Sequence, residues 1–215
     1  MPTLLPTLLP TLLPMTPHRP DRRCFAAALL LVVALPTARP AQAAPAFDLA
    51  ALTTLLGRNR SGDATFTESR RIEMLDRTLA SSGRLSFRAP DIFVRETLSP
   101  RREKLAVSGN TLTMSFGERS RTMQLDASPE AAVIVEAIRG TLTGNRESLE
   151  RLFESTVSGS AGQWSLDLVP RDLRLRGQVA SVRVAGRDAL VNEVAVLLAD
   201  GDKSVMTISP LAAPK

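Results

Sequence analysis

Apolar side chains recur at every second position through residues 83–112, and two prolines divide this stretch. Leu85 and Phe87 alternate with serine and arginine, a period of two that predicts a strand with one apolar face and one solvated face. Pro90 and Pro100 cannot donate a hydrogen bond to a neighbouring strand, and proline favours turns, so they are predicted to stand between strands. The stretch therefore predicts an antiparallel meander.

The meander is predicted to continue beyond a hairpin turn at Gly109 and Asn110, because both residue types tolerate the positive φ that such turns need. Between the two prolines, Phe93 shares one side of its strand with Arg95 and Thr97. The apolar positions after the hairpin turn are Leu112, Met114, Phe116, Met123 and Leu125.

Three stretches have the apolar periodicity of helices. Residues 47–56 carry leucines at helical spacing. A second helix is predicted to begin at Pro129, with Gly140 weakening its middle. Asn145 is predicted to cap a third, short helix whose buried side reaches Phe153.

Helices inserted between runs of strands indicate the α+β class, here with about ten antiparallel strands and about three helices. An open sheet of that size curls, so its concave face must be covered. Alternation predicts further strands at residues 64–75, 163–169, 178–184, 190–198 and 204–209, and loops or turns at 61–63, 78–83 and 158–162, while 171–176 has no clear pattern.

Residues 1–44 are predicted to lie outside the folded domain, which spans residues 45–215. They open with a Thr-Leu-Leu-Pro repeat, in which proline prevents a helix. Met15 is the expected initiator. It is followed by a basic stretch, an apolar run at 25–35 and an alanine-rich site, which together predict a secretory signal peptide for Sec export. The apolar run is about half of a ~20-residue membrane span, which disfavours an anchor. Arg22 and Arg23 keep a twin-arginine signal open.

Charge and composition exclude several functions. The formal charge of the chain is +5, but residues 1–44 hold four arginines and one aspartate, so the predicted mature domain carries only +2. That value is weak support for nucleic-acid binding. The one cysteine and the one histidine also fall in residues 1–44, which removes Ser-His-Asp and Cys-His catalysis and zinc sites built from these residues. No catalytic residue, metal ligand or cofactor is therefore assigned.

A carboxylate pair could still catalyse acid–base chemistry. Glu68, Glu73 and Asp76 lie close in sequence, and we expect them at a solvated strand edge. A weak enzyme that uses carboxylates stays an alternative.

The order and spacing of these residues resemble the LolA-type periplasmic lipoprotein carriers, best over residues 46–125, and the chain is most similar to a divergent, arginine-rich LolA-related branch. The resemblance implies an incomplete antiparallel barrel with helices as its lid, which takes acylated lipoproteins from an inner-membrane donor to an outer-membrane acceptor. It is carried by Phe66-Thr67-Glu68, Gly83-x-Leu85-x-Phe87-x-x-Pro90-x-x-Phe93, Ser99-Pro100, Leu105, Gly109 and Leu112.

The resemblance also assigns a lipid-binding cavity. Burial of an acyl chain contributes about 0.8 kcal/mol per methylene, so an apolar cleft needs few polar contacts. Helical spacing alone adds Ile134, Ile138 and Leu142 as lid residues. The cavity residues that the resemblance implies are Phe66, Leu85, Phe87, Phe93, Leu112, Met114 and Phe116.

One position departs from the family. Main-family carriers place an arginine directly before the proline of the first corner, where it latches the lid to the sheet. This chain has Ala89 there, and Arg88 is expected on the opposite face by alternation. The cargo is therefore open between a lipoprotein and an aryl polyene-type lipid or glycolipid of the related branch. A periplasmic binding module with a packed core is the alternative, and in each case we expect a monomer that binds no nucleic acid.

Overall fold

The computed structural model describes residues 46–211. Within this part the α+β class and the open antiparallel sheet are confirmed, with eleven strands and four α-helices rather than about ten and three. The predicted signal peptide and the boundary between residues 44 and 45 lie outside the described residues and stay predictions.

The strands are β1 (Ser61–Ile72), β2 (Arg77–Arg88), β3 (Ile92–Ser99), β4 (Glu103–Ser108), β5 (Thr111–Phe116), β6 (Arg119–Gln124), β7 (Phe153–Ser160), β8 (Gln163–Pro170), β9 (Val179–Arg187), β10 (Leu190–Leu198) and β11 (Lys203–Pro210). The helices are α1 (Leu49–Leu56), α2 (Pro129–Thr143), α3 (Arg146–Leu152) and α4 (Leu173–Arg176). Two 3-10 turns, Glu73–Leu75 and Leu125–Ala127, follow β1 and β6.

All eleven strands form one antiparallel sheet in the order β6-β5-β4-β3-β2-β1-β11-β10-β9-β8-β7. The first and last strands lie side by side in the middle of the sheet, while β6 and β7 are its two edges. The connection from β6 to β7 contains α2 and α3, so it must pass from one edge of the sheet to the other.

The predicted corners are confirmed, because Pro90 and Pro100 both fall between strands, and the hairpin turn at Gly109 joins β4 to β5. Two predicted turns are wrong, because residues 61–63 and 78–83 belong to β1 and β2. Both stretches are rich in small or polar residues and exposed along much of their length. The sheet ladder, rather than an apolar pattern, makes them strands.

Strand β7 is not predicted by the sequence. Phe153 begins β7 instead of ending the third helix, and residues 158–160 continue β7 instead of forming a loop. Phe153 and Val157 are the only large apolar residues of β7, so the alternation is too sparse to detect. The unassigned stretch 171–176 contains the short helix α4.

The helix ends follow capping rules in most places. Asn145 Oδ1 accepts a hydrogen bond from the Ser148 backbone N–H at 3.0 Å, which confirms the predicted cap of α3. Gly144 ends α2 with a φ of 66°, a left-handed conformation that favours glycine. Gly140 has a packing role rather than only weakening α2, because a Cβ there would lie 2.7 Å from a side-chain atom of the fully buried Leu149.

The buried apolar residues form two separate clusters. The larger one, here the main core, joins α1, α2 and α3 to strands β7–β10 and includes Leu52, Ala137 and Leu166. The second cluster consists of Val107, Leu112 and Leu125, with neighbours from β3–β6 and the first half of α2. Helix α2 therefore contributes to both clusters.

We expect Gly144→Ala to destabilise the fold by about 1–3 kcal/mol, since it forces a strained φ on a residue with a side chain. A Cβ at Gly144 would also lie 2.2 Å from the Thr53 carbonyl oxygen and 2.8 Å from the Gly57 Cα. Urea unfolding measures the loss. Gly162→Ala is the control, because a Cβ there meets nothing within 4 Å; equal stability of the two variants would contradict the prediction.

Candidate functional site

The candidate site lies on one face of the sheet, here called the inner face, which carries the helices. Residues directly opposite each other in an antiparallel sheet point to the same side. The register therefore places all seven cavity residues that the family resemblance implies on the inner face. They are Phe66 on β1, Leu85 and Phe87 on β2, Phe93 on β3, and Leu112, Met114 and Phe116 on β5.

These residues differ in how far they are covered. Phe66, Phe87 and Leu112 are buried, and the Phe87 ring stacks on Phe93 with 5.1 Å between ring centroids. Leu85, Phe93 and Met114 are half-buried. Phe116 is 55% exposed at the end of β5. The apolar side chains on the inner face of β2–β5 are therefore incompletely covered.

Two of the three predicted lid residues pack away from this surface. Ile134 and Ile138 pack against the main core, on the other half of the sheet. Leu142 is half-buried near the end of α2. Helix α2 instead contacts the second cluster through Ala131, Ala132 and Val135.

The cover over β3–β6 is consequently made of small side chains. Ala131 and Ala132 precede the large apolar residues of α2 by less than one helical turn. The half-buried residues that pack against the second cluster under this helix are Phe93, Leu105, Met114 and Met123. Leu105 and Met123 also lie on the inner face. Both belong to the alternating pattern of the sequence, but the family resemblance does not imply them as cavity residues.

A polar cluster lies on the inner face between the two apolar regions. The Glu68 carboxylate on β1 accepts hydrogen bonds from Arg95 on β3, Ser81 on β2 and Ser204 on β11. The Arg95 guanidinium carbon also lies 4.8 Å from the centroid of the Phe66 ring, within the range of a cation–π contact. Four neighbouring strands thus meet at one buried carboxylate.

This environment lowers the pKa of Glu68. Burial by itself would raise the pKa, but the hydrogen bonds from Ser204 and Ser81 and the charge of Arg95 together outweigh it. Glu68 is therefore ionised, and its ion pair with Arg95 is largely shielded, since the two side chains are 13% and 29% exposed.

The expectation that Glu68 lies at a solvated strand edge is wrong, because β1 is a central strand. Glu73 and Asp76 do lie in the exposed turn after β1, where both pair with Arg71. These two carboxylates are exposed, whereas that of Glu68 is largely shielded and pairs with a different arginine. Among the described residues no group of three or more His, Cys, Asp or Glu side chains is placed to hold a metal ion.

Arg88 occupies the outer face, where it pairs with Asp63 at 3.3 Å, and does not reach the helices. Helix α2 is tied to the sheet by another arginine. Arg139 donates from Nη2 to the Gly109 carbonyl oxygen at 2.7 Å and also bonds Glu136. This contact joins the middle of α2 to the turn between β4 and β5.

Two clefts in the described part of the chain lie around α1, away from the residues that the sequence suggested. The larger, of about 590 Å³, lies between α1, α3 and the edge strand β7 and includes Phe47, Phe153 and Arg171. The other, of about 390 Å³, lies along α1 and includes Leu55. None of the ten predicted site residues lines either cleft.

An open antiparallel sheet of eleven strands with helices on its inner face is consistent with an incomplete barrel. A family model described as outer membrane lipoprotein carrier protein LolA-like matches residues 41–212. The chain belongs to this LolA-like family. No curated protein matches it. None of the helices within residues 46–211 combines the length and the apolar character needed to span a membrane.

Solved structures resemble the fold at low sequence identity. A LolA superfamily protein from Nitrosomonas europaea is 10% identical with a TM-score of 0.45, covering 79% of this chain and 96% of its own. A putative outer membrane lipoprotein-sorting protein domain from Vibrio parahaemolyticus is 11% identical with a TM-score of 0.41, covering 78% and 92%. The MucA/MucB complex of Pseudomonas aeruginosa gives 17% identity and a TM-score of 0.41, covering 76% and 56%.

We expect Glu68→Gln to destabilise the protein at neutral pH by about 1–3 kcal/mol, because Arg95 loses its charged partner in a shielded site. The folded pKa of Glu68 lies below its ordinary value of 4.5, so its contribution is present above that pH and is lost as pH falls through the folded pKa. The difference from the unaltered protein should therefore shrink in acid. Urea midpoints at neutral and acidic pH test this, with the exposed Glu73→Gln as control; a difference that grows in acid would refute it.

Proposed function

We propose that this protein is a periplasmic carrier that binds the acyl chains of a lipoprotein or lipid and moves it from an inner-membrane donor to an outer-membrane acceptor. Membership of the LolA-like family supports this function. The observation that carries it is the inner face of β2–β5, where apolar side chains are only partly covered.

The proposed binding surface has an apolar floor and a thin cover. Met114 and Leu105 are directly opposite each other on neighbouring strands, and both are half-buried. Ala131, Ala132 and Val135 of α2 lie above the same cluster. Since each methylene transferred from water contributes about 0.8 kcal/mol, an acyl chain laid along this floor needs no dedicated polar contact.

The soft side chains of the floor suit a variable cargo. Methionine is flexible and adapts to irregular apolar surfaces. Met123 is directly opposite Leu112, and Met114 follows Leu112 on the same face of β5. We propose Phe66, Leu85, Phe87, Phe93, Leu112, Met114 and Phe116 as lipid-binding residues. Ile134, Ile138 and Leu142 belong to α2, but the residues of this helix that cover the floor are Ala131, Ala132 and Val135.

A packed binding module is the second candidate, and the main core favours it. That half of the sheet is closed by α1, α2 and α3, with Leu52, Leu149 and Leu166 fully buried. Organic extraction of protein purified under mild conditions, followed by mass spectrometry, separates the two functions. Recovered lipoprotein, aryl polyene-type lipid or glycolipid supports the carrier and identifies the cargo; protein that neither holds nor takes up lipid favours the module.

We expect Met114→Asp to reduce uptake of a fluorescent fatty acid at least about tenfold, because it places a charge in the apolar floor. Thr113→Asp is the matched control, since Thr113 lies next to Met114 on the outer side of the same strand and pairs there with Thr122. Circular dichroism establishes that both variants are folded. Unchanged uptake by folded Met114→Asp would contradict the proposed surface.

A further inference from the structure

Two arginines on the edge strand β6 extend the apolar floor with positive charge. Arg119 and Arg121 are both exposed. Among the described residues neither forms an ion pair, in contrast to Arg95, Arg88 and Arg183, which are held by carboxylates. Within residues 46–211 no carboxylate therefore holds the guanidinium groups of the two β6 arginines.

The register places both side chains on the inner face beside apolar residues. Arg121 is directly opposite Met114, and Arg119 is directly opposite Phe116. Side chains at such positions have Cβ atoms about 4.5–5.5 Å apart. The positive charge of the two arginines thus lies next to the exposed Phe116 and the half-buried Met114, at the edge of the sheet.

Within residues 46–211 no carboxylate forms an ion pair with these arginines, and this includes Glu118, the residue directly before Arg119. Glu103 is the acidic residue on the inner face of β4, and its carboxylate accepts a hydrogen bond from the Thr97 hydroxyl at 3.2 Å. Glu68 lies on β1, five strands from β6, and its carboxylate is bound by Arg95. A ligand that spans the floor and the edge of β6 therefore meets an apolar surface and then two unpaired guanidinium groups.

We propose that Arg119 and Arg121 bind the acidic headgroup, phosphate or carboxylate, of an amphiphile whose chain lies on Met114 and Leu105. Guanidinium groups offer paired donors that match the oxygens of these anions. The inference rests on the proposed carrier function and adds the chemical class of its ligand. Because the two arginines lie beside an apolar floor, we infer that their ligand is the headgroup of a lipid rather than a free anion.

Charged residues that point inward on an edge strand can also serve only to prevent pairing with other chains. The two roles predict different results. A headgroup site changes ligand affinity when the arginines are removed, whereas edge protection changes self-association and leaves ligand affinity unchanged.

The test compares dansyl-labelled undecanoic acid with its methyl ester, which differ only in the headgroup charge. We expect the acid to bind the unaltered protein more tightly than the ester, with a preference that decreases at high salt because exposed charges are screened. R119Q/R121Q should weaken binding of the acid about 5- to 30-fold and leave the ester unchanged. Hexadecyl phosphate should compete with the acid, and inorganic phosphate at the same concentration should not.

R84Q/R187Q is the matched control, because it removes two exposed arginines from the outer face that also lack an ion pair among residues 46–211. Three results would each overturn the headgroup site while the carrier function stands. They are equal weakening by this control, displacement of the acid by inorganic phosphate, and self-association of R119Q/R121Q with unchanged ligand affinities. Failure of the unaltered protein to bind either probe would overturn the carrier function and the headgroup site together.

Discussion

The architecture depends on the hydrogen-bonded pairing of the first strand with the last. Because β1 pairs with both β11 and β2, the two ends of the described chain meet at the middle of the sheet. One meander, β1–β6, extends to one edge, and the other, β7–β11, returns from the opposite edge. The segment that connects them must cross a face of the sheet, so the position of α2 and α3 follows from the topology.

The same central strand divides the inner face into two parts. Glu68 on β1 binds side chains from β2, β3 and β11, and a shielded charge of this kind is tolerated only when its partners are present. The main core and the second cluster lie on different halves of the sheet and share no buried residue. Within residues 46–211, helices α1, α2 and α3 pack on the main core, whereas the second cluster is contacted by Ala131, Ala132 and Val135 of α2.

Alternation in the sequence predicted most of the sheet because inner-face positions are mainly apolar, and outer-face positions mainly polar or charged, in the second half of β2 and in β8 and β9. It failed in β7, where Ser155 lies opposite the buried Leu168 and a small polar residue is sufficient at a sheet edge. It also failed for Glu68. A charged residue in a strand is usually solvated, and its burial becomes evident only when Arg95 and Ser204, distant in sequence, are brought beside it.

The lid residues show a second limit of sequence patterns. Helical spacing identified the apolar side of α2 but not which half of the sheet each residue contacts. Within the same turns, one side of α2 faces β3–β6 and the adjacent side faces the strands of the main core. Ala131 and Val135 therefore contact the second cluster, whereas Ile134 and Ile138 contact the main core.

Glycines lie near the C-terminal end of α2 and alanines near its N-terminal end, and the two ends pack differently. At its C-terminal end, Gly140 and Gly144 allow α3 and α1 to approach closely, which fixes the helix on the main core. At the other end, alanines cover less apolar area than leucines would. Apolar area around the half-buried Met114 therefore stays in contact with water, and such exposure costs about 25 cal/mol per Å². A bound acyl chain would recover that free energy, and this is the driving force that a carrier of lipids requires.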